Sequence, residues 1–242
     1  MGSCKLKYLG SKRRIAKHIL PIILANRKHE QWYVEPFAGG MNSVMDVHGK
    51  RLANDMHPYL INMWKELLNG WTPKKYTREE YQAIKDNPIS YEPHVVGWVG
   101  FNCSYSGKWF GGFAGKTKTK VGTVRDYQEE AIRNVSAQVP SLQGVQLSNV
   151  DYLDIVIPEK SIVYLDPPYE GTTDYKLGGF NHKDFWDYAR ELVRQGHAVY
   201  VSEYQSPQDF TCVWSKEVKS SLSANGASGG NKNSIEKLFT LI

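Results

Sequence analysis

The apolar residues of this chain follow two patterns: short continuous runs, and positions three and four apart. Runs near 32–35, 51–54, 145–147, 162–165 and 198–202 predict strands. Ile162-Val163-Tyr164-Leu165 is apolar throughout, which suits a strand covered on both faces. Runs at 213–218 and 237–242 predict a closing hairpin, joined by a mobile loop at 220–233 that is rich in Ser, Asn and Gly. Helical spacing of Ile15, Ile19, Ile22 and Ile23 predicts a helix that starts at Lys12 under a Ser11 cap and ends or kinks at Pro21. Leu60, Met63, Trp64, Leu67 and Leu68 predict a second helix over 59–68, with Trp64 in the core. Further helices are expected over 79–85, 125–137 (Tyr127, Ala131, Ile132 and Val135 inward), and from an Asn181 or Asp184 cap to Gln195, while the apolar 94–102 stretch suits a helix or a buried strand, with a helix favoured.

Strand–helix alternation on both sides of a helical stretch predicts an α/β fold with a mostly parallel sheet. One domain would comprise 1–69 and 141–242, interrupted by an inserted region at 70–140. The insert changes character at 101–115, which is aromatic and glycine-rich with little periodicity. Lys116-Thr117-Lys118-Thr119-Lys120 follows, and predicts a mobile basic loop.

Composition narrows the classes. With 242 residues, the chain can bury a sizeable core. A net charge of +5 permits a polyanionic partner. Cys4, Cys103 and Cys212 are odd in number and lack Cys-x-x-Cys spacing, so neither a zinc knuckle nor a disulfide framework is expected. A reducing cytoplasm is the simplest home. No apolar run approaches the ~20 residues that span a bilayer, and no signal-peptide core is present. Met1-Gly2-Ser3-Cys4 lacks the Ser or Thr at position six that acylation wants; Leu6 stands there.

The strand at 161–165 stops on Asp166-Pro167-Pro168-Tyr169. Neither proline donates a backbone N–H, and each holds the residue before it in extended geometry. The stiff tip presents a carboxylate, carbonyls without ladder partners and a flat ring. That set suits an exocyclic amine on a planar ring: carboxylate and carbonyl accept its two hydrogens, and the tyrosine stacks on the face. Trp32 to Gly40 reads as a strand running into a glycine turn, where Gly39 and Gly40 let backbone approach a ligand. Arg51-Leu52-Ala53-Asn54-Asp55 is a short strand ending on an acid. A glycine turn after one strand and an acid after the next is the layout that holds a nucleoside, the acid on the ribose hydroxyls. Met41 and Asn42 stand where the phosphate-binding G-x-G-x-x-G would continue, so a nucleoside without phosphates fits better. Phe37, Asp55, Asp151 and Asp166 all fall just past predicted strand ends, where ligands of such sheets bind.

Together these residues resemble the Dam-like (D12 class, alpha group) N6-adenine-specific DNA methyltransferases. The order of glycine motif, variable region and Asp-Pro-Pro-Tyr is that of the alpha group. Glu35-Pro36-Phe37 and Asp166 to Tyr169 carry the likeness most specifically. Lys7-Tyr8-Leu9-Gly10-Ser11-Lys12 is similar to the family's N-terminal aromatic-x-Gly-x-Lys element, and Val199 to Tyr204 to its late strand motif. The chain departs at Met41-Asn42, where many members carry a further glycine.

The resemblance implies a seven-stranded, mostly parallel, Rossmann-like methyltransferase sheet with a mainly helical recognition lobe at 70–140. It implies S-adenosylmethionine as cofactor. Tyr8 and Lys12 would contact it, Phe37, Ala38 and Gly39 would line its methionine side, and Asp55 would hold its ribose. Asp151 would border its adenine, with Asp166 counted in the cofactor site as well as the catalytic one. Asp166 and the Pro167 carbonyl would hold the target adenine N6, with Tyr169 stacked on the base. The implied partner is double-stranded DNA, from which the base must flip at a cost of a few kcal/mol, either in a restriction-modification pair or alone. Lys108, Lys116, Lys118 and Lys120 would meet the DNA. No metal or membrane partner is expected, and no oligomeric state is readable. Methyl transfer to cytosine N4, an RNA adenine or a protein glutamine remains an alternative, as does a silent DNA-binding module. Aspartate before Pro-Pro-Tyr favours adenine by resemblance, and the intact glycine turn argues against the silent module. The incomplete glycine set disfavours a nicotinamide dehydrogenase.

Overall fold

The computed structural model describes residues 6–119, 122–170, 180–219 and 233–241. Cys4, Lys120 and almost all of the 220–233 loop lie outside these residues. In chain order the elements are α1 (Ala16–Ile23), β1 (Tyr33–Glu35), β2 (Arg51–Asn54), α2 (Pro58–Leu68), α3 (Arg78–Asp86), α4 (Pro93–Asn102), β3 (Lys116–Lys118), β4 (Val124–Asp126), α5 (Tyr127–Leu142), β5 (Gln146–Ser148), β6 (Ile162–Leu165), α6 (His182–Arg194), β7 (Ala198–Glu203), β8 (Thr211–Lys219) and β9 (Asn233–Thr240). Seven strands form one sheet in the order β5-β2-β1-β6-β7-β9-β8. The β2–β5, β1–β6 and β6–β7 pairs are parallel, and β9 runs antiparallel to β7 and β8. The fold is therefore α/β with a seven-stranded, mostly parallel sheet.

The chain divides into two compact units, Met1–Lys17 with Pro36–Val156, and His18–Glu35 with Ile157–Ile242. In the second unit β1 and β6 are buried at every position. This explains why β6 reads as an apolar run and not as an alternating strand. Asn181 caps α6, accepting from Lys183 N and Asp184 N, and Phe185, Trp186, Ala189 and Leu192 form its buried stripe. Burying each of the larger side chains contributes about 1.5–3 kcal/mol. In the first unit α4 buries every residue from Val96 to Asn102, so the apolar 94–102 stretch is a core helix.

Three expectations need correction. Residues 116–118 are a strand and not a loop: β3 pairs with β4 in antiparallel register, Lys116 opposite Asp126 and Lys118 opposite Val124. The Lys-Thr alternation is a period-2 pattern with a β-branched residue at every second place, and Gly122, at φ 83°, donates its N–H to Thr119 O (3.0 Å) before β4 begins. The helix expected from Arg125 starts instead at Tyr127, because Asp126 caps it by accepting from Gln128 N and Glu129 N. It runs past Ala137 to Leu142, and its buried face is Gln128, Asn134, Val135, Gln138 and Leu142; Tyr127, Ala131 and Ile132 are only half-buried. Third, the first helix opens as a separate 3-10 turn over Lys12–Arg14 under the Ser11 cap, and α1 then carries Pro21 inside it to Ile23.

Candidate active site: a pinned turn and an acid tip

The first unit builds its turn from strand ends. Ala38 N donates to Asn54 O (2.8 Å) and Met41 N to Ala38 O (2.8 Å). The fully buried Asn54 amide donates to Pro36 O (3.1 Å) and Val150 O (3.0 Å) and accepts from Val150 N (3.1 Å). One side chain thus ties together the segment after β1, the end of β2 and the loop after β5. Asp55 Oδ2 accepts from Gly39 N (3.0 Å) and Oδ1 from His57 N (2.9 Å). Burial pushes this carboxyl up to about 6, against the pull of those two N–H bonds. The cap of α2 is His57, whose Nδ1 accepts from Leu60 N. Phe101 (4.9 Å) and Trp109 (4.3 Å) stand edge-on to the imidazole, and burial lowers it to about 4. His57 is therefore neutral at neutral pH.

Gly39 has φ +47° and Met41 φ +53°. The left-handed region costs a non-glycine residue roughly 1–2 kcal/mol. Full burial of the Met41 side chain offsets that cost, which accounts for methionine at a place suited to glycine. A Cβ on Gly39 would lie 2.7 Å from Tyr8 Cε1, and one on Gly40 would lie 2.7 Å from Tyr8 Cβ. The close approach these glycines permit is thus taken up by Tyr8. On its other side a Cβ on Gly107 would sit 2.3 Å from Lys7 O, so the N-terminal segment also packs tightly against the 104–113 loop. Trp64 Nε1 donates to Gly39 O (3.2 Å), a supporting role that its core position conceals in the sequence. Lys12 Nζ donates to Gly10 O (3.3 Å), and the Phe37 ring meets Tyr152 at 5.1 Å. Asp151 is exposed and caps a turn, accepting from Leu153 N (3.0 Å).

These residues fit a nucleoside carrying no phosphate. The N–H groups of Ala38, Gly39 and Met41 all bond within the protein, whereas a phosphate cradle needs such groups turned outward. An acid after β2 and an aromatic pair suit a ribose and a base.

The second unit builds the tip. Asp166 follows the fully buried β6 and is itself half-buried, with its Oδ1 covered by the surrounding protein. Pro167 is buried. Tyr169 is also buried; its hydroxyl donates to Glu236 Oε2 (3.0 Å) and its ring meets Tyr204 edge-on at 4.6 Å. The buried Glu203 accepts from Glu170 N (3.2 Å) through Oε2 and from Tyr204 N (2.7 Å) through Oε1, which fixes the chain just beyond the prolines. Beneath lie two further hydrogen bonds, Tyr33 OH to Glu35 Oε1 (2.6 Å) and Tyr164 OH with Ser202 Oγ (2.8 Å). Burial, and then the neighbouring Asp166 carboxylate, holds the Tyr164 and Tyr169 phenols well above the ordinary range.

The remaining predicted residues, Lys108, Lys116 and Lys118, are exposed, and the last two share one face of β3. Among the described residues no group of His, Cys, Asp or Glu could hold a metal ion, and no helix is long and apolar enough to cross a membrane. Burial raises the Cys103 thiol well above its usual range, which leaves it inert. Sequence reasoning missed Asn54, Gln138, Glu203 and Glu236. Gln138 had a signal: it lies three residues after Val135 and four before Leu142, a polar residue on the apolar stripe of a helix.

The family model for the D12 class N6 adenine-specific DNA methyltransferases matches residues 8–227. Among solved structures, the chain is similar to the rRNA methyltransferase AviRa from Streptomyces viridochromogenes at 11% identity and a TM-score of 0.43, over 100% of this chain and 90% of that one. It is similar to the Escherichia coli protein YhhF at 11% identity and a TM-score of 0.36, over 93% and 85%. Likeness this distant adds no weight to the family match.

Proposed function

Because the chain belongs to the D12 class N6 adenine-specific DNA methyltransferase family, and is therefore a methyltransferase whose cofactor is S-adenosylmethionine, we propose that its substrate is adenine N6 of a base flipped out of duplex DNA. The observation that carries this reading is the tip. A fully buried strand delivers a half-buried aspartate, a proline carbonyl and an anchored ring in succession.

Tyr8, Lys12, Phe37, Ala38, Gly39 and Asp55 would hold the cofactor, with Asp151 and Tyr152 toward its adenine. When bound, S-adenosylmethionine supplies an electrophilic methyl group on a sulfonium sulfur. Adenine N6 is a poor nucleophile, since its lone pair is delocalised into the ring. Asp166 and the Pro167 carbonyl accept its two hydrogens, an interaction that strengthens as positive charge builds on nitrogen. Tyr169 stacks on the base and contributes on the order of 1–3 kcal/mol against the cost of flipping. Its hydroxyl bond to Glu236 fixes where the tip of the ring lies. Residues 1–69 and 141–242 serve as the catalytic domain, and 70–140 as the target-recognition region. There Lys116 and Lys118 provide sequence-blind contacts to phosphates, and Lys108 contacts phosphate or base.

The test is incubation with methyl-labelled S-adenosylmethionine and either mixed-sequence duplex DNA or RNA, in parallel, followed by digestion to nucleosides. Label in N6-methyldeoxyadenosine is expected; label in N4-methyldeoxycytidine, or in RNA alone, would overturn the reading. Asp166→Ala should lower the rate by at least 10²–10³-fold while duplex binding persists. Normal turnover in that variant would remove Asp166 from the chemistry.

A further inference from the structure

We propose that Gln138, on the inserted helix α5, is a positioning residue for the cofactor half of the site; this rests on the reading of the glycine turn as the element that binds S-adenosylmethionine. The side chain has no exposed surface. Its Oε1 accepts from Leu6 N (3.0 Å), and its Nε2 donates to Gly40 O (2.9 Å) and Met41 O (3.3 Å). Only this orientation of the amide satisfies all three partners, because an N–H faces one side and two carbonyls the other. The three partners belong to the two segments that must stay in register. Leu6 lies two residues before Tyr8, the ring that packs over Gly39 and Gly40. Gly40 and Met41 form the turn, which includes a left-handed methionine at φ +53°. A conformation of that kind persists only where its surroundings over-determine it. One amide therefore fixes Tyr8 against the turn from a helix whose other end is capped by Asp126 of the β3–β4 hairpin. A leucine would fill the apolar stripe but satisfy none of these three groups.

Two variants separate this role from general packing. Gln138→Met keeps the length and removes the three bonds. It should weaken binding of S-adenosylhomocysteine ten- to hundredfold by calorimetric titration, and raise KM for the donor similarly, with KM for duplex DNA within about twofold of wild type. Gln138→Glu keeps the acceptor and can donate only while its carboxyl is protonated. Its loss of affinity relative to wild type should therefore grow as pH rises from 6 to 9. The ratio is read only over the pH range in which the variant's circular dichroism shows it fully folded, so that it reports the turn and not global unfolding. If Gln138→Met does not fold, the Gln138→Glu ratio decides alone. A folded Gln138→Met that binds the probe like wild type, equal losses toward donor and DNA, or a Gln138→Glu ratio flat with pH would overturn the proposal. Wild-type protein that fails to bind the probe would instead sink the reading of the turn, and this proposal with it.

Discussion

Asp55 shows how one residue can serve the fold and the chemistry at some expense to each. Its carboxylate joins Gly39 to His57 through two backbone N–H bonds, yet burial raises its pKa to about 6. For an acid raised in this way, the stabilising contribution is complete below the unfolded value near 3.8 and is lost as pH rises through about 6. Ionised Asp55 therefore costs stability at neutral pH, where it must be ionised to accept from both hydroxyls of a ribose. Donor binding should therefore favour ionisation of Asp55 and be strongest above its pKa. The dissociation constant for S-adenosylhomocysteine should rise as pH falls through about 6, and binding near pH 6 should release protons. Calorimetry in two buffers of different ionisation enthalpy measures that release. An Asp55→Asn variant should bind more weakly and show no such pH dependence; an unchanged profile would take Asp55 off the ribose.

At the scale of elements, the β3–β4 hairpin is the most informative departure from expectation. Its arginine is engaged: Arg125 binds Glu130 through two nitrogens, Lys7 reaches the same carboxylate at 2.9 Å, and Lys75 reaches Asp126 at 3.2 Å. Exposed pairs like these contribute little singly, but they join the hairpin to the first turn of α5. Lys116 and Lys118 face outward together, so replacing both with alanine should reduce the slope of log affinity against log salt for duplex DNA by up to about two. No change in slope would put the phosphate contacts elsewhere. β6 was legible in the sequence because burial on both faces leaves an uninterrupted apolar run, and β1 and β2 because a short apolar pair in each runs into a glycine turn or an acid. The caps at Ser11 and Asn181 were legible because capping needs particular side chains. The hairpin was hidden because exposed Lys and Thr make a strand look like a solvated loop. The acid tip was readable from proline chemistry alone. The residues that hold it were not, since Glu203 and Glu236 act through distant pairings that no local pattern records. Gln138 and Asn54 were obscured for the same reason: a buried amide acquires its role only when the chain brings orphan backbone groups to it.

Over the whole molecule, the proposed labour falls along the division into two units. The turn, Asp55, Asn54 and Gln138 all belong to the unit comprising Met1–Lys17 and Pro36–Val156; the tip, Glu203 and Glu236 belong to the other. A ligand that binds the native state stabilises it by RT ln(1 + [L]/Kd), about 2.7 kcal/mol at a hundredfold excess over Kd. Where amides exchange by local opening, that energy appears only in the segments the ligand holds closed. S-adenosylhomocysteine alone should thus slow hydrogen exchange at Gly39 and His57, whose N–H groups bond to Asp55, by up to about 100-fold. Exchange at Glu170, whose N–H bonds to Glu203, should slow at least tenfold less. A duplex containing a target adenine should reverse the preference and protect Glu170. Peptide-resolved exchange with each ligand separately measures both effects. Protection by the donor confined to the tip would contradict the assignment of cofactor and base to different units. Protection of Glu170 by duplex DNA without adenine would show that the tip closes on the phosphate backbone and not on a base.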